Sequence, residues 1–449
     1  MKNLKGISII PLIFIFLVTG TFVNSAMAIE LASTPSLPWK NEYIDHDSNT
    51  SALAMAINPS TGSPIVFFHD ADLDDIIYAA RVGAGQGDCG TSNAWQCSIT
   101  SFGTTNGLLD AAFWDDPNGY SSTAGLVYYD SGQDALRYFY LWPNGSGITT
   151  ILDFDYVPAN QWTIGSKPSI AFDQNGQAHV VVTINSLDNY TLLAYMRHTG
   201  ISNTSCTGVW HGDEYWECKF IIIGQNAVDD PSITISGSNS PRIAYRSLVG
   251  HELMYTYETD KFPSETCSGN PNWRCAVIDS DLLTGYFPSI AYGDGKLFIA
   301  YYNGSYLRLA EYVGSGGNCV PNNSWKCITI DDISNGYQPV DISLAMDGSQ
   351  PVIAYQDKDN GPQSIVKLAQ TAVRAGMEYG NCGPENPFST WECQVIDQGP
   401  YSLGNDLDLM LGSAGQAWLA YLEDNYDDRE QHVLFNYQYF SVFLPAVLK

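Results

Sequence analysis

The chain has 449 residues and carries 48 acidic against 20 basic side chains, a formal net charge of −28. A surface that acidic repels phosphate backbones, which excludes nucleic acid as a partner and disfavours polyanionic substrates. The same charge suits a protein that must stay soluble outside the cell.

The first 28 residues read as a signal peptide. Lys2 and Lys5 precede an apolar stretch from Ile7 to Val18, and Ala26-Met27-Ala28 offers a small-x-small cleavage site. Its removal takes the formal charge from −28 to −30, since Lys2 and Lys5 leave with it. The cleavage site is not followed by a cysteine, which argues against a lipoprotein, and no later segment is long and apolar enough to span a bilayer. The expected location is secreted or cell surface.

The first predicted element of the mature chain is Trp39-Lys40-Asn41-Glu42-Tyr43-Ile44-Asp45, which matches Trp325 to Asp331 at Trp, Lys, Ile and Asp. It is a fourth strand without its blade. Next come seven copies of one unit, repeating at roughly 50 to 65 residues. Their first runs begin at Ser51, Leu109, Pro168, Val340 and Asn405, and at the clearest copies Pro231-Ser232-Ile233 and Pro288-Ser289-Ile290. A turn such as Asp173-Gln174-Asn175-Gly176 leads to a second alternating run typified by Ile299-Ala300-Tyr301 and Ile353-Ala354-Tyr355, which is hairpin chemistry. An acidic turn then precedes a third run, as in Leu253-Met254-Tyr255-Thr256-Tyr257, and a Trp-x-Cys segment supplies the fourth. The seventh copy stops after its third run, Val433 to Tyr437, so Trp39–Asp45 is expected to complete it. The predicted fold is all-β: a seven-bladed β-propeller of four-stranded antiparallel blades over residues 29–441, closed by its N-terminal strand, with a short tail at 442–449. At about 60 residues per blade the units exceed the shortest propeller repeats, the surplus lying in the cysteine loops.

All ten cysteines fall in five local pairs: Cys89 and Cys97, Cys206 and Cys218, Cys267 and Cys275, Cys319 and Cys327, Cys382 and Cys393. Zinc ligation wants closer spacing and four ligands that converge, whereas these pairs sit one per blade. Five intra-blade disulfides are therefore expected, in an oxidising compartment. The second blade, with Gly147 to Asp153 as its outer run, has neither Trp nor Cys there.

Repetition also sorts function from scaffold. His179, Arg242, Phe298, Val352 and Trp418 share one position on the second runs, so His179 is expected to be structural. No nucleophile triad, zinc helix or phosphate loop can be placed. The candidate site is the face carrying the second-to-third-strand turns and blade-joining loops. There Asp70, Asp72, Asp357 and Asp359, beside Tyr286, Tyr337, Tyr401 and Trp162, would hydrogen-bond hydroxyls and stack on sugar faces. Asp70, Asp72, Asp74, Asp424 and Asp427 are candidate calcium ligands, though no turn completes a calcium-loop pattern. No other cofactor is implied. The plain alternative is that Asp favours turns for its own sake.

The repeat Pro-Ser-Ile-Ala, Asp-x-x-Gly, Ile-Ala-Tyr and Leu-x-Tyr-Ala resembles a unit of exported bacterial seven-bladed propeller proteins, and more loosely the sugar-binding propeller lectins, which hold ligands between blades. Propellers that cleave sialic acids share the architecture, but their Asp-box turn Ser-x-Asp-x-Gly-x-x-Trp is absent, and Arg242 with Arg246 is the nearest thing to an arginine cluster. The tail Val442 to Lys449 resembles short Leu-Pro-x-Val endings of some exported proteins, and a final packing strand explains it equally well. Fold and composition point to a non-catalytic module that binds an extracellular glycan or protein, expected to be a monomer. The alternative is a secreted carbohydrate-active enzyme, a glycoside hydrolase or polysaccharide lyase, on the same scaffold.

Overall fold

The computed structural model describes residues 39–45, 49–100, 105–117, 122–154, 162–186, 188–202, 206, 213, 215–225, 227–259, 266–281, 283–333, 341–357, 364–384, 389–399, 402–425 and 430–438. The expected leader and tail, and Asp359, Tyr337, Tyr401 and Asp427, lie outside them. Seven antiparallel sheets make up the chain; five are built from four consecutive strands in sequence order, the third has its inner strand in two pieces, and the seventh joins the last three strands to the first. Among the described residues there is no α-helix, and no helix is long and apolar enough to cross a membrane.

The seven inner strands are Thr50–Ile57, Thr105–Trp114, Ser169–Phe172, Val228–Ile235, Tyr286–Gly293, Ile342–Asp347 and Ser402–Leu411. Each packs beside the next, and the last meets the first, so they enclose a bore. Trp39–Asp45 completes blade 7 by pairing antiparallel with Glu430–Gln438, Trp39 opposite Gln438 and Glu42 opposite Phe435. That seam is tied to blade 1, where the Arg81 guanidinium lies 3.1 Å from the buried Glu42 carboxylate and donates to Tyr437 Oη at 2.9 Å. One difference from expectation falls in blade 3. Trp162, placed by sequence in a joining loop, opens a short strand, Trp162–Ile164, that pairs with Ala178–Ser186 alongside Ser169–Phe172. Gly165 to Pro168 bulge out between the two pieces, Ile164 lying opposite Ile184 and Ser169 opposite Val181.

Motif residues recur because each blade must bind the one before it. The Trp of Trp-x-Cys is buried and meets an aromatic ring on the third strand of the preceding blade: Trp95 on Phe435 at 5.0 Å, Trp273 on Tyr195 at 5.1 Å and Trp325 on Tyr255 at 5.1 Å between centroids. The Ile-Ala-Tyr tyrosine reaches back to the aspartate that ends the preceding outer strand, Tyr301 to Asp279 at 2.6 Å and Tyr355 to Asp331 at 2.7 Å. All five cysteine pairs are at disulfide distance within their own blades, Cα to Cα 5.9 Å for Cys89–Cys97 and 5.1 Å for Cys319–Cys327.

The Pro-Ser-Ile motif serves the bore. The inner strand has a free edge there, and its N–H groups need acceptors. The Ile170 N–H donates to Asp110 of blade 2, Ile233 to Ser169, Ile290 to Ser232, Leu344 to Ser289, Leu409 to Ser343 and Met55 to Asp408, at 2.8 to 3.3 Å. Six of the seven blade junctions are thus clasped. The seventh has Ala54 at the acceptor position, and Ala111 N–H turns to the neighbouring Asp110 instead. Ser289→Ala would orphan the Leu344 N–H, and the expected loss is about 1–2 kcal/mol of unfolding free energy in denaturant titrations with unchanged slope. An unchanged midpoint would show that the clasp contributes nothing.

Candidate functional site

The acidic turns lie between second and third strands, and their described carboxylates are engaged locally. Asp70 is buried and accepts the N–H groups of Asp72 and Leu73 at 2.9 and 3.1 Å, a turn cap. Asp72 accepts Asn49 N–H at 3.4 Å, and Asp74 lies 3.6 Å from His69 Nε2. Asp357 is ion-paired with Lys367 at 2.5 Å, which also holds Asp331 at 3.0 Å. Asp424 sits within the second strand of blade 7, opposite Gln431. Tyr286 is buried beneath Arg246, whose guanidinium carbon stands 3.4 Å from the ring centroid. These residues are distributed over blades 1, 5, 6 and 7. Among the described residues the only three potential metal ligands that come together are Asp88, Cys89 and Cys97, and the two cysteines are joined to each other.

Two cavities stand out. The first is the bore, about 590 Å3, lined by Asp110, Asp230, Asp341, Asp406 and Asp408 with one base, Lys167. Lys167 of blade 3 reaches Asp406 of blade 7 at 2.5 Å, and since these blades are not neighbours the pair spans the opening. Burial opposes the Lys167 charge, and the carboxylates of Asp406, Asp341 and Asp110 outweigh it, holding its pKa above the ordinary value. Desolvation pushes Asp110 up to about 7, with Lys167 pulling the other way, and it also raises Asp230, Asp341 and Asp408. Each carboxylate also holds backbone. Asp341 accepts the N–H groups of Ile342 and Leu407, Asp406 that of Leu53, Asp230 that of Phe287.

The second cavity, about 430 Å3, opens between blades 4 and 5 on the opposite face. Its rim is the turn at Ser236-Gly237-Ser238, the turn at Gly295 and the Cys319–Cys327 loop with Asn322 and Ser324. Tyr255 and Tyr257 come from the third strand of blade 4 (Glu252–Glu258), Arg242 from its second (Pro241–Ser247), and Tyr292, Tyr312 and Trp325 from blade 5. Tyr312 meets Trp325 at 5.3 Å, Tyr255 meets Tyr257 at 5.4 Å, and the Arg242 guanidinium lies over Tyr257 at 4.9 Å. Arg242 Nη1 donates to Tyr255 Oη at 3.3 Å, and Arg274 Nη1 to Tyr257 Oη at 3.4 Å. Gly237 lets this wall close up, since a Cβ there would stand 2.9 Å from the Tyr292 hydroxyl. The described lining includes no Asp or Glu. Sequence reasoning singled out Arg242 but not the tyrosines around it. No repeat signal marks them, because the Arg242 position is filled elsewhere by the dissimilar His179, Phe298, Val352 and Trp418.

No family model matches this chain, and no curated protein matches it. Among solved structures, the fucose-specific lectin from Aleuria aurantia aligns at 12% identity over 79% of this chain and 96% of its own, TM-score 0.43. A polysaccharide lyase aligns at 10% identity over 90% of this chain and 100% of its own, TM-score 0.43. A family-43 β-xylosidase/α-arabinofuranosidase from a compost metagenome aligns at 9% identity over 83% and 94%, TM-score 0.32. The blade count given above comes from this chain's own sheet order.

The bore carries a pH signature. A carboxyl whose pKa is higher folded than unfolded binds its proton more tightly in the folded state, so its contribution to stability falls as pH rises from about 4 to about 7. Asp110→Asn keeps an oxygen for the Ile170 N–H and removes the titration. The stability of wild type relative to this variant is expected to decline across that window in melts at stepped pH. A constant difference would contradict the burial of Asp110.

Proposed function

We propose that the protein is an exported, non-catalytic binding module for an extracellular glycan, and that the groove between blades 4 and 5 is its ligand-contacting surface. The observation that carries this reading is the groove's composition: tyrosine rings and hydroxyls, one tryptophan edge and guanidinium donors, with no carboxylate in the described lining. Rings pack against the C–H faces of sugars while hydroxyl and guanidinium groups bond their oxygens, the usual make-up of an amphipathic ligand site. Glycoside hydrolysis needs two carboxyl groups flanking the bond, one to donate a proton and one to act as nucleophile or base. The groove offers neither, and the described carboxylates of the bore and turns hold backbone N–H groups or ion-pair partners. The five disulfide pairs favour an oxidising compartment, which supports export.

A glycan array probed with the purified protein, followed by product analysis on every hit, tests the reading. Binding without new reducing ends or unsaturated products is the expected result, and Tyr257→Ala is expected to weaken it at least tenfold in a protein that thermal melts show to be folded. Turnover of a bound glycan would replace the module by a hydrolase or lyase. Binding that ignores Tyr257→Ala would move the site elsewhere.

A further inference from the structure

The groove is electrostatically unlike the rest of the molecule. In a chain with 48 acidic and 20 basic residues, described arginines usually find a carboxylate: Arg81 meets Glu42, Arg137 meets Asp130, Arg197 meets Glu217, Arg308 meets Asp279 and Arg374 meets Asp347, all at 2.6 to 3.1 Å. Arg242 is half-buried, and among the described residues it forms no ion pair. One of its five N–H groups donates to Tyr255 Oη, and its plane rests on Tyr257. Taking a guanidinium partly out of water without a counter-charge costs free energy, and hydroxyl and ring contacts recover only part of it. The fold does not require this arginine, because Phe298, Val352 and Trp418 fill the same position in blades 5, 6 and 7. Arg274 belongs to the same lining and donates to Tyr257 Oη.

We propose that the groove selects saccharides bearing a carboxylate, a uronic acid residue, whose two oxygens dock on the free edge of the Arg242 guanidinium while the sugar ring lies against Tyr257 and Tyr292. The proposal rests on the glycan reading above and specifies its ligand. A planar carboxylate matches the two parallel N–H vectors of a guanidinium, and such charge-assisted pairs are about twice as strong as neutral hydrogen bonds. The molecule's overall charge bounds the ligand from the other side. A polyanionic chain is repelled by a body of net charge −28, whereas a mostly neutral oligosaccharide with a single uronic acid pays little for approach and gains the local contact.

The test compares matched disaccharides, one ending in glucuronic acid and the other in glucose, by titration calorimetry on the full mature protein. Wild type is expected to bind the uronate at least tenfold more tightly, with a preference that shrinks as salt is raised. Arg242→Gln is expected to erase the preference, lowering the uronate's affinity at least tenfold more than the neutral disaccharide's, and Arg242→Lys to retain part of it. Thermal melts of both variants verify that they fold. Equal affinity of wild type for the two sugars, each abolished by Tyr257→Ala, would overturn the carboxylate proposal and leave the glycan reading standing. A uronate preference unchanged in Arg242→Gln would overturn it too, by locating recognition elsewhere. Failure of wild type to bind either sugar overturns the uronic-acid assignment, and the glycan array then decides separately whether the groove binds sugars at all.

Discussion

The free edge of the inner strand is the constraint on which this molecule turns. Seven strands stand around a bore, each paired on one side only, and each would leave N–H groups facing the opening. The chain answers with two devices read directly in Pro-Ser-Ile. The serine of one blade accepts the N–H of the isoleucine in the next, as Ser232 does for Ile290. The proline two residues before that isoleucine has no N–H to satisfy. Where the proline is lost, an aspartate appears: Asp341 takes the N–H groups of Ile342 and Leu407, and Asp406 takes that of Leu53. Asp341 and Asp406 thus answer N–H groups that a proline would not carry, whereas Asp110 and Asp408 stand at the serine position, accepting from Ile170 and Met55.

This use of aspartate has an electrostatic consequence. Gathering carboxylates on one axis, partly out of water, raises the pKa of Asp110, Asp341 and Asp408 and calls for a cation. Lys167 supplies it from blade 3 by crossing to Asp406. Aspartates serve inner strands beyond the blades that depart from Pro-Ser-Ile, since Ile170 of blade 3 donates to Asp110 and Phe287 of blade 5 to Asp230. The chain's acidity is therefore partly internal, and its sign at the bore differs from that at the groove between blades 4 and 5.

The architecture was legible because it is written seven times. Strand order, the closing role of Trp39–Asp45 and the cysteine pairing each follow from comparing one copy with another. The groove was not legible in that way. Its residues lie at positions the repeat leaves variable, Arg242 and Tyr257 on one blade and Tyr292 and Tyr312 on the next, and only the packing of two blades joins them. Of the acidic turn residues, Asp70 caps its own turn and Asp357 is ion-paired with Lys367, so local bonding accounts for these two acids without a ligand. Trp162 shows the converse, a residue with a loop-like context that the second strand of blade 3 captures as a ladder partner.

The claim that carries the rest is that side chains of neighbouring blades hold the inner edges. Amide hydrogen exchange resolved to single residues examines it directly, since these N–H groups have no strand partner and owe any protection to the clasps. The account predicts that the amides of Met55, Ile170, Ile290, Leu344 and Leu409 exchange as slowly as ladder amides on the second strands. Exchange of those amides at the rate of the exposed turns would contradict it, and would mean that water, not the neighbouring blade, satisfies the edge.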